Sequence, residues 1–321
     1  MAKYKVVVTD DRHGGYQEEK NVLEPMGAEV VVTHCTTPEE VIAATRDADG
    51  VLVNLAPMPA EVIDSLQKCK AISRYGVGYD NVDVAAATRK KIYVTNVPDY
   101  CAEDVSDHAI ALLFSCLRKT VKVDGLVRGG QWNITPKEKI FRVKGKKYGL
   151  IAYGLIAKAV HRKLKGFDLA EFLIYDPFVD AKAIEAAGGR KVELNELCRE
   201  ADFISIHAPL GPKTRGMIGK EQFALMKPTS ILINVSRGPV VDEAALLDAL
   251  QTGKIMALGT DVFAEEPPRK DHPLFKMSQV VVTDHAGWFT LESMVELKTK
   301  AAQNVASVLA GGKPAYPVNS L

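Results

Sequence analysis

Residues 147–176, KYGLIAYGLIAKAVHRKLKGFDLAEFLIYD, have the pattern of a strand, a turn of small residues, a helix and a second strand. Two short apolar runs enclose the segment in which Ile156, Val160 and Leu164 recur at helical spacing. This order predicts a βαβ unit with an acid, Asp176, at the tip of its second strand. The helix start of such a unit offers free N–H groups and a positive dipole end to a pyrophosphate. The stretch therefore predicts a dinucleotide site.

The turn departs from the usual dinucleotide fingerprint. The pattern G-x-G-x-x-G/A reads A-x-G-x-x-A here, with Ala152, Gly154 and Ala157 at the three positions. Alanine is allowed at the third position, but a Cβ at the first is costly if φ is positive. An ordinary strand-turn-helix with one glycine therefore stays open as an alternative. Asp176 lies 22 residues after Gly154, where a carboxylate can bond both ribose hydroxyls and repel a 2′-phosphate, so we predict NAD rather than NADP.

Composition narrows the class of protein. The 321 residues suggest about two domains, and 47% hydrophobic content is enough for real cores. With 41 basic and 40 acidic residues, the net charge of +1 predicts neither a nucleic-acid surface nor an anionic-membrane surface. We expect no signal peptide and no transmembrane span. The five cysteines are odd in number and form no C-x-x-C, which is typical of reduced thiols in a cytoplasmic protein without disulfides or a zinc site.

The first hundred residues alternate strands and helices, which predicts a parallel sheet with helical crossovers. The predicted strands cover residues 5–9, 29–32, 50–53, 71–73 and 93–96, with helical patterns between them, for example over residues 38–48 and 60–68. No glycine fingerprint follows the first strand, so this domain is not expected to hold the dinucleotide. Its loop of residues 75–78 has glycines on both sides of Val77, which lets the main chain approach a ligand and offer N–H groups to a carboxylate. An ordinary glycine loop is the alternative.

Polar or ionisable residues follow four later predicted strands, at residues 201–206, 230–235, 256–259 and 280–283. The residues just beyond these strand ends include His207, Arg237, Asp261 and His285. Because open α/β sheets bind ligands at the carboxyl ends of their strands, we expect these side chains to share one site. A nicotinamide ring would lie at this edge.

An arginine, a glutamate and a histidine from these loops form a usable catalytic set. His285 suits a proton donor near neutral pH, as hydride transfer to a carbonyl requires. Glu266 favours the charged imidazolium and orients the ring. Arg237 can hold a substrate carboxylate with its two-pronged guanidinium. Each residue alone has a simpler interpretation, since a lone histidine is more often structural and a lone Arg-Gly is usually a turn.

Three segments together resemble the D-isomer-specific 2-hydroxyacid dehydrogenase family. They are NVSRGPVVDE (residues 234–243), DVFAEEP (residues 261–267) with the later His285, and DFISIHAPL (residues 202–210). The resemblance covers essentially the whole chain. It implies an α/β fold of two doubly wound parallel-sheet domains, flavodoxin-like and Rossmann, with a cleft between them. The substrate domain would comprise residues 1–101 and 290–321, and the NAD domain residues 102–289.

The resemblance also implies site residues and partners. Arg237, Glu266 and His285 would be catalytic, with Glu265 the competing choice for the acid. The expected cofactor contacts are Gly154, Leu155, Ile156, Asp176, His207, Thr214, Val235, Ser236, Arg237, Asp261, His285 and Gly287. The expected substrate contacts are Tyr75, Gly76, Val77, Gly78, Arg237, His285 and Trp288. The implied ligands are NAD(H) and a 2-oxo or 2-hydroxy acid, with no metal, and helix 102–128 looks like a homodimer-forming segment.

Three positions differ from the family pattern. Ala152 replaces the first fingerprint glycine, Leu155 stands where an arginine is common, and Asp284 precedes the histidine where proline is common. The first two are expected to weaken NAD binding, and the third adds a carboxylate beside His285. The segments around residues 100–108 and 285–288 are similar to the branch related to the C-terminal-binding-protein corepressors. Trp288 would then form an apolar pocket wall, or simply pack in the core.

Three functions remain open from the sequence. The first is an NAD-dependent D-2-hydroxyacid dehydrogenase. The second is an NAD-sensing dimeric regulator with little turnover, and the third is an enzyme impaired in cofactor binding. The intact arginine, glutamate and histidine favour the first. The sequence does not select one 2-hydroxy acid or the physiological direction of the reaction.

Overall fold

The computed structural model describes residues 2–10, 14–133 and 138–321. The chain forms two compact units. Unit 1 comprises Met1–Tyr100 and Phe289–Leu321, and unit 2 comprises Cys101–Trp288. Each unit contains one parallel β-sheet with helices in its connections.

The strands are, in sequence order, β1 (Tyr4–Val8), β2 (Ala28–Val32), β3 (Gly50–Val53), β4 (Ala71–Arg74), β5 (Tyr93–Thr95), β6 (Lys147–Ile151), β7 (Glu171–Tyr175), β8 (Arg190–Lys191), β9 (Phe203–Ile206), β10 (Ile231–Asn234), β11 (Ala257–Thr260) and β12 (Val280–Val282). The α-helices are α1 (Gln17–Leu23), α2 (Pro38–Thr45), α3 (Ala60–Ser65), α4 (Val84–Arg89), α5 (Ala102–Arg118), α6 (Thr120–Arg128), α7 (Leu155–Leu164), α8 (Ala181–Ala186), α9 (Leu194–Glu200), α10 (Lys220–Leu225), α11 (Glu243–Gln251) and α12 (Leu291–Leu309).

Both sheets have a doubly wound strand order. The sheet of unit 1 runs β2-β1-β3-β4-β5, which is the flavodoxin-like order. The sheet of unit 2 runs β12-β11-β10-β9-β6-β7-β8, so the Rossmann order reverses between β6 and β9. The predicted pair of parallel-sheet domains, flavodoxin-like and Rossmann, is confirmed. Ligands of such sheets bind beyond the strands' carboxyl ends at the reversal point.

Unit 2 has a buried apolar cluster on each face of its sheet. Because side chains alternate along a strand, Tyr148 and Leu150 of β6 belong to one cluster and Ile151 belongs to the other. Burial on both faces explains why these strands read as continuous apolar runs in the sequence. The sheet is therefore a rigid base for the loops at its carboxyl edge.

The last helix belongs to unit 1. Helix α12 packs on α1, β3 and β4. At Gly50 a Cβ would lie only 2.5 Å from Cγ1 of Val305, so glycine is required for the helix to approach the sheet. Thr290 caps the helix, since its Oγ1 accepts from the N–H of Ser293 at 3.0 Å.

Most differences from the predicted elements concern where helices end. Helices α2 and α3 stop at Thr45 and Ser65, three residues before the predicted ends at residues 48 and 68. Leu66 is already extended, with ψ of 122°, because the backbone turns there toward β4. Of the helices in the described ranges, none combines the length and apolar character needed to cross a bilayer.

Candidate active site

The turn between β6 and α7 is bonded to the end of β7. Ala152 donates its N–H to the carbonyl of Tyr175 at 2.8 Å and has a φ of 67°. The next N–H, of Tyr153, donates to Oδ2 of Asp176 at 2.8 Å. Helix α7 then begins after Gly154, whose N-cap position has no side-chain hydrogen bond to the first turn. The first N–H groups of α7 are therefore left for an anion.

Asp176 lies where the fingerprint places an acid. Backbone N–H groups already occupy most of the acceptor positions of its carboxylate. Besides Tyr153, the N–H groups of Phe178 and Val179 donate to Oδ1 at 2.8 and 3.1 Å. A carboxylate has about four acceptor positions, so room for about one further hydrogen bond remains. Leu155, the first residue of α7, is 51% exposed and adds no charge at the helix start.

The Arg237 loop is shaped by an asparagine at the end of β10. Oδ1 of Asn234 accepts from the N–H and the Oγ of Ser236 at 3.0 and 2.9 Å. Its Nδ2 donates to the carbonyl of Arg237 at 3.1 Å. The half-buried arginine extends from this braced turn, and its positive charge acts on Glu266.

His285 and Glu266 form a close pair. His285 Nδ1 lies 2.7 Å from Oε2 of Glu266, and Oε1 of the same carboxylate accepts from the N–H of Phe263 at 3.0 Å. Burial acts to raise the pKa of Glu266, but the hydrogen bond and charge of His285 outweigh it, so this pKa lies below 4.5. With Glu266 as the acceptor at Nδ1, the other ring nitrogen is left for a proton exchanged with substrate. Glu266, and not Glu265, makes this contact.

Asp261 holds the loop that carries His285. It is buried, and its carboxylate accepts from the N–H groups of Ala286 and Gly287, both at 2.9 Å, and from Oγ1 of Thr283 at 2.5 Å. Burial acts to raise the pKa of Asp261, but these bonds and one from His108 outweigh it, so the pKa lies below 3.8. His285 itself has a φ of 58°, a conformation that needs such support.

Two other predicted cofactor contacts, His207 and Thr214, bond to residues close to them in the chain. His207 Nε2 lies 2.7 Å from Oγ of Ser205, and burial lowers the pKa of His207 to about 3, so its ring is neutral at working pH. Oγ1 of Thr214 donates to the carbonyl of Pro209 at 2.6 Å and accepts from the N–H of Gly211 at 2.8 Å. Both side chains thus shape the loops that follow β9.

In unit 1 the loop of residues 75–78 follows β4. The Tyr75 side chain is buried, and its hydroxyl donates to Oε1 of Glu19 at 2.8 Å. Burial and the nearby Glu19 raise the pKa of Tyr75, so the phenol stays neutral. Gly76 has a φ of 139°, which favours glycine. This loop can therefore meet a ligand through its backbone, at Val77 and Gly78.

The structure thus brings Arg237, Glu266 and His285 together at the carboxyl edge of one sheet. Val235, Gly287 and Trp288 lie in the same loops, while the helix start of α7 and Asp176 lie at the reversal point of that sheet. Sequence reasoning missed the bracing roles of Asn234 and Thr283. An asparagine directly after an apolar strand is a signal for the first, because asparagine side chains bond to their own turns.

Comparisons with known proteins agree with this architecture. Residues 110–287 match the family model for the D-isomer specific 2-hydroxyacid dehydrogenase NAD-binding domain. A D-3-phosphoglycerate dehydrogenase of Methanocaldococcus jannaschii is 39% identical over 309 residues, which is 96% of this chain and 58% of that protein. This chain therefore spans little more than half the length of that relative.

A shorter relative and a solved structure match over most of their lengths. A glyoxylate reductase of Korarchaeum cryptofilum is 38% identical over 283 residues, covering 87% of this chain and 85% of that protein. The holo structure of Rhodotorula graminis D-mandelate dehydrogenase aligns over 100% of this chain and 99% of its own, with a TM-score of 0.90 at 26% identity. On the family match and these identities, the chain belongs to the D-isomer-specific 2-hydroxyacid dehydrogenase family.

Proposed function

We propose that this protein is an NAD(H)-dependent dehydrogenase that interconverts a 2-oxo acid and a D-2-hydroxy acid. The observation that carries the proposal is the 2.7 Å contact between His285 and Glu266, with the charge of Arg237 acting on the same carboxylate. A proton donor, the group that orients it and a cation for the substrate are thereby assembled at one sheet edge.

Each of these three residues has a distinct role. His285 gives a proton to the substrate carbonyl oxygen in reduction and takes it back in oxidation. Glu266 fixes the ring orientation and stabilises the charged imidazolium. Arg237 holds the substrate carboxylate and draws electron density from the neighbouring carbonyl.

The cofactor fits the β6–α7–β7 region. When bound, NADH supplies the hydride. The uncapped first turn of α7, at Gly154, Leu155 and Ile156, would hold the pyrophosphate, and Asp176 would accept from a ribose hydroxyl. NAD is preferred over NADP, because the Asp176 carboxylate repels a 2′-phosphate. His207, Thr214, Val235, Ser236, Asp261 and Gly287 shape the remaining cofactor contacts.

We assign the substrate role to residues 1–101 with 290–321, and the NAD role to residues 102–289. The N–H groups of Val77 and Gly78 would contact the substrate carboxylate, and Trp288 would form an apolar wall for the substrate side chain. Helices α5 and α6 would form the interface of a homodimer, because Val121 and Val127 of α6 are 58% and 40% exposed. The five buried, free cysteines suit the reducing cytoplasm.

The decisive experiment is a screen for NADH oxidation over a panel of 2-oxo acids. The parent should oxidise NADH with at least one of them, and His285→Ala should lose about 100-fold or more of that activity. His34→Ala, which removes an exposed histidine of unit 1, should behave as the parent does.

The same screen distinguishes the proposed enzyme from an NAD-sensing regulator. A parent protein that binds NADH, measured by fluorescence, but turns over none of the acids would favour an NAD-sensing protein. Equal rates for His285→Ala and the parent on every active substrate would contradict the proposed mechanism.

A further inference from the structure

The loop of residues 75–78 is held by its carbonyl groups. The carbonyl of Gly76 accepts from the N–H of Val97 at 2.9 Å, and the carbonyl of Val77 accepts from Nδ2 of Asn96 at 2.7 Å. Both donors belong to the segment that directly follows β5. The loop is thus attached to its neighbour through two successive peptide groups.

This attachment determines where the loop's N–H groups point. Both peptide bonds are trans, and in a trans peptide the C=O and the following N–H point in opposite directions. The N–H groups of Val77 and Gly78 are therefore directed away from Asn96. Among residues 2–10, 14–133 and 138–321 neither N–H has a hydrogen-bond acceptor. Two such neighbouring N–H groups make a site for an anion.

A positive charge lies beside the same loop. A methyl group built on Gly76 would lie 1.6 Å from Nη1 of Arg74, so the guanidinium covers this glycine. The guanidinium therefore adds positive charge beside the loop. The shape and the charge of the loop both suit a carboxylate.

Asn96 is itself fixed by the C-terminal part of unit 1. Its carbonyl accepts from Nδ2 of the buried Asn304 of α12 at 3.1 Å. Oδ1 of Asn304 accepts from the N–H of Ala315 at 3.1 Å, and Thr95 pairs with Pro317 in an isolated bridge. The asparagine is thus held on its backbone side, while its side chain holds the loop.

We propose that Asn96 is a positioning residue that turns the N–H groups of Val77 and Gly78 toward the substrate carboxylate. Its side-chain N–H fixes the peptide between these two residues, so loss of that bond lets the peptide rotate. This inference rests on the proposed function, in which the substrate is a 2-oxo acid. It makes Asn96 a determinant of the preference for acids over neutral 2-oxo compounds.

The test compares a 2-oxo acid with its methyl ester in steady-state NADH oxidation. The parent should favour the acid. In Asn96→Ala the KM for the acid should rise about tenfold, the ratio of kcat/KM for acid over ester should fall by about the same factor, and the NADH Kd should not change. Asn96→Asp keeps the shape but cannot donate, so it should lower the ratio at least as much. Asn195→Ala, which removes an exposed 2.8 Å hydrogen bond to Glu221 in unit 2, should leave the ratio unchanged.

Several results would overturn the inference. An acid-to-ester ratio in either variant within twofold of the parent would mean that Asn96 does not orient the loop. Equal losses on acid and ester, or loss of folding or NADH binding in Asn96→Asp, would assign Asn96 a general structural role instead. Failure of the proposed function appears differently, as a parent protein that oxidises NADH with no 2-oxo acid at all.

Discussion

Two residues of the site adopt a backbone conformation that a side chain makes costly. Ala152 and His285 are not glycines, yet their φ angles are 67° and 58°. A Cβ in this left-handed region costs about 1–2 kcal/mol. At His285 the cost is offset by the bonds from Ala286 and Gly287 to Asp261. At Ala152 the turn is held by the bond from its own N–H to Tyr175 and the bond from Tyr153 to Asp176.

Ala152→Gly should therefore stabilise the protein and tighten the cofactor. Removing the Cβ relieves the strained φ, and the expected gain in the free energy of unfolding is about 0.5–1 kcal/mol after the extra conformational entropy of glycine. Urea denaturation measures the gain, and fluorescence titration should show a lower Kd for NADH. The control Ala159→Gly, inside α7, should lose about 1 kcal/mol. A loss of stability in Ala152→Gly would contradict the strain argument.

Glu266 predicts a pH dependence of stability. Its pKa in the folded protein lies below the ordinary value of 4.5. The carboxylate therefore stabilises the fold above pH 4.5, and this contribution is lost as the pH falls through the folded-state pKa. Glu266→Gln should cost more stability at pH 7 than at about pH 3.5 in urea denaturation. Glu265→Gln is the control, and an equal cost of Glu266→Gln at both pH values would show that the ion pair with His285 does not stabilise the fold.

The sequence indicated candidate site residues where an ionisable side chain follows a strand end. Arg237, Glu266 and His285 were predicted from strand ends and from the resemblance to the family, and the structure places the last two in contact. Asn234 and Thr283 were not, because an asparagine or threonine acquires a bracing role only when particular loops approach it. The strain at Ala152 was predicted only for the case of a positive φ, because the sequence alone does not give this angle.

At the scale of elements, two loops of the candidate site meet at one glycine. A Cβ on Gly238 would lie 2.0 Å from the carbonyl carbon and oxygen of Phe263 and 2.4 Å from the amide nitrogen of Ala264. The loop after β10, with Arg237, thus packs directly on the loop after β11, with Glu266. The absence of a side chain at Gly238 sets their spacing.

Gly238→Ala should separate these loops and impair catalysis. A displacement of about 1 Å can cost about 100-fold in rate, so kcat/KM for the active 2-oxo acid should fall by about that factor. The Kd for NADH should rise by a smaller factor, because the cofactor contacts at α7 and Asp176 lie elsewhere along the sheet. The control Gly166→Ala adds a methyl group with nothing within 4 Å and should retain parental kinetics. Parental kcat/KM in Gly238→Ala would show that the loops tolerate separation.

The sequence predicted those elements well in which burial requires a run of apolar residues. The central strands, such as β3 and β10, are buried along their whole length and read as apolar runs. β8 has only two residues, both half-buried, and gives no such run. Helix ends were less accurate, because tertiary turns such as the one at Leu66 decide them.

At the scale of the whole molecule, the sequence predicted two doubly wound sheets, and the sheet orders agree. Strand order itself followed from the resemblance, since periodicity does not say which strands are neighbours. The placement of α12 with the N-terminal residues shows the same limit. The helix is amphipathic and the resemblance assigned it to the substrate domain, but only the structure shows that Val305 lies against Gly50.

Because each unit has its own buried core, we expect a core substitution to destabilise mainly the unit that contains it. Val305 is fully buried in unit 1, and Val160 is fully buried in unit 2. Each change to alanine should cost about 2 kcal/mol, because it removes two methyl groups and leaves a cavity. Hydrogen exchange followed by mass spectrometry should then show faster exchange in β3 and β4 for Val305→Ala, and in β6 and β7 for Val160→Ala. Each variant is the matched control of the other, and equal acceleration of exchange in both units by either variant would mean that the protein unfolds as one cooperative body.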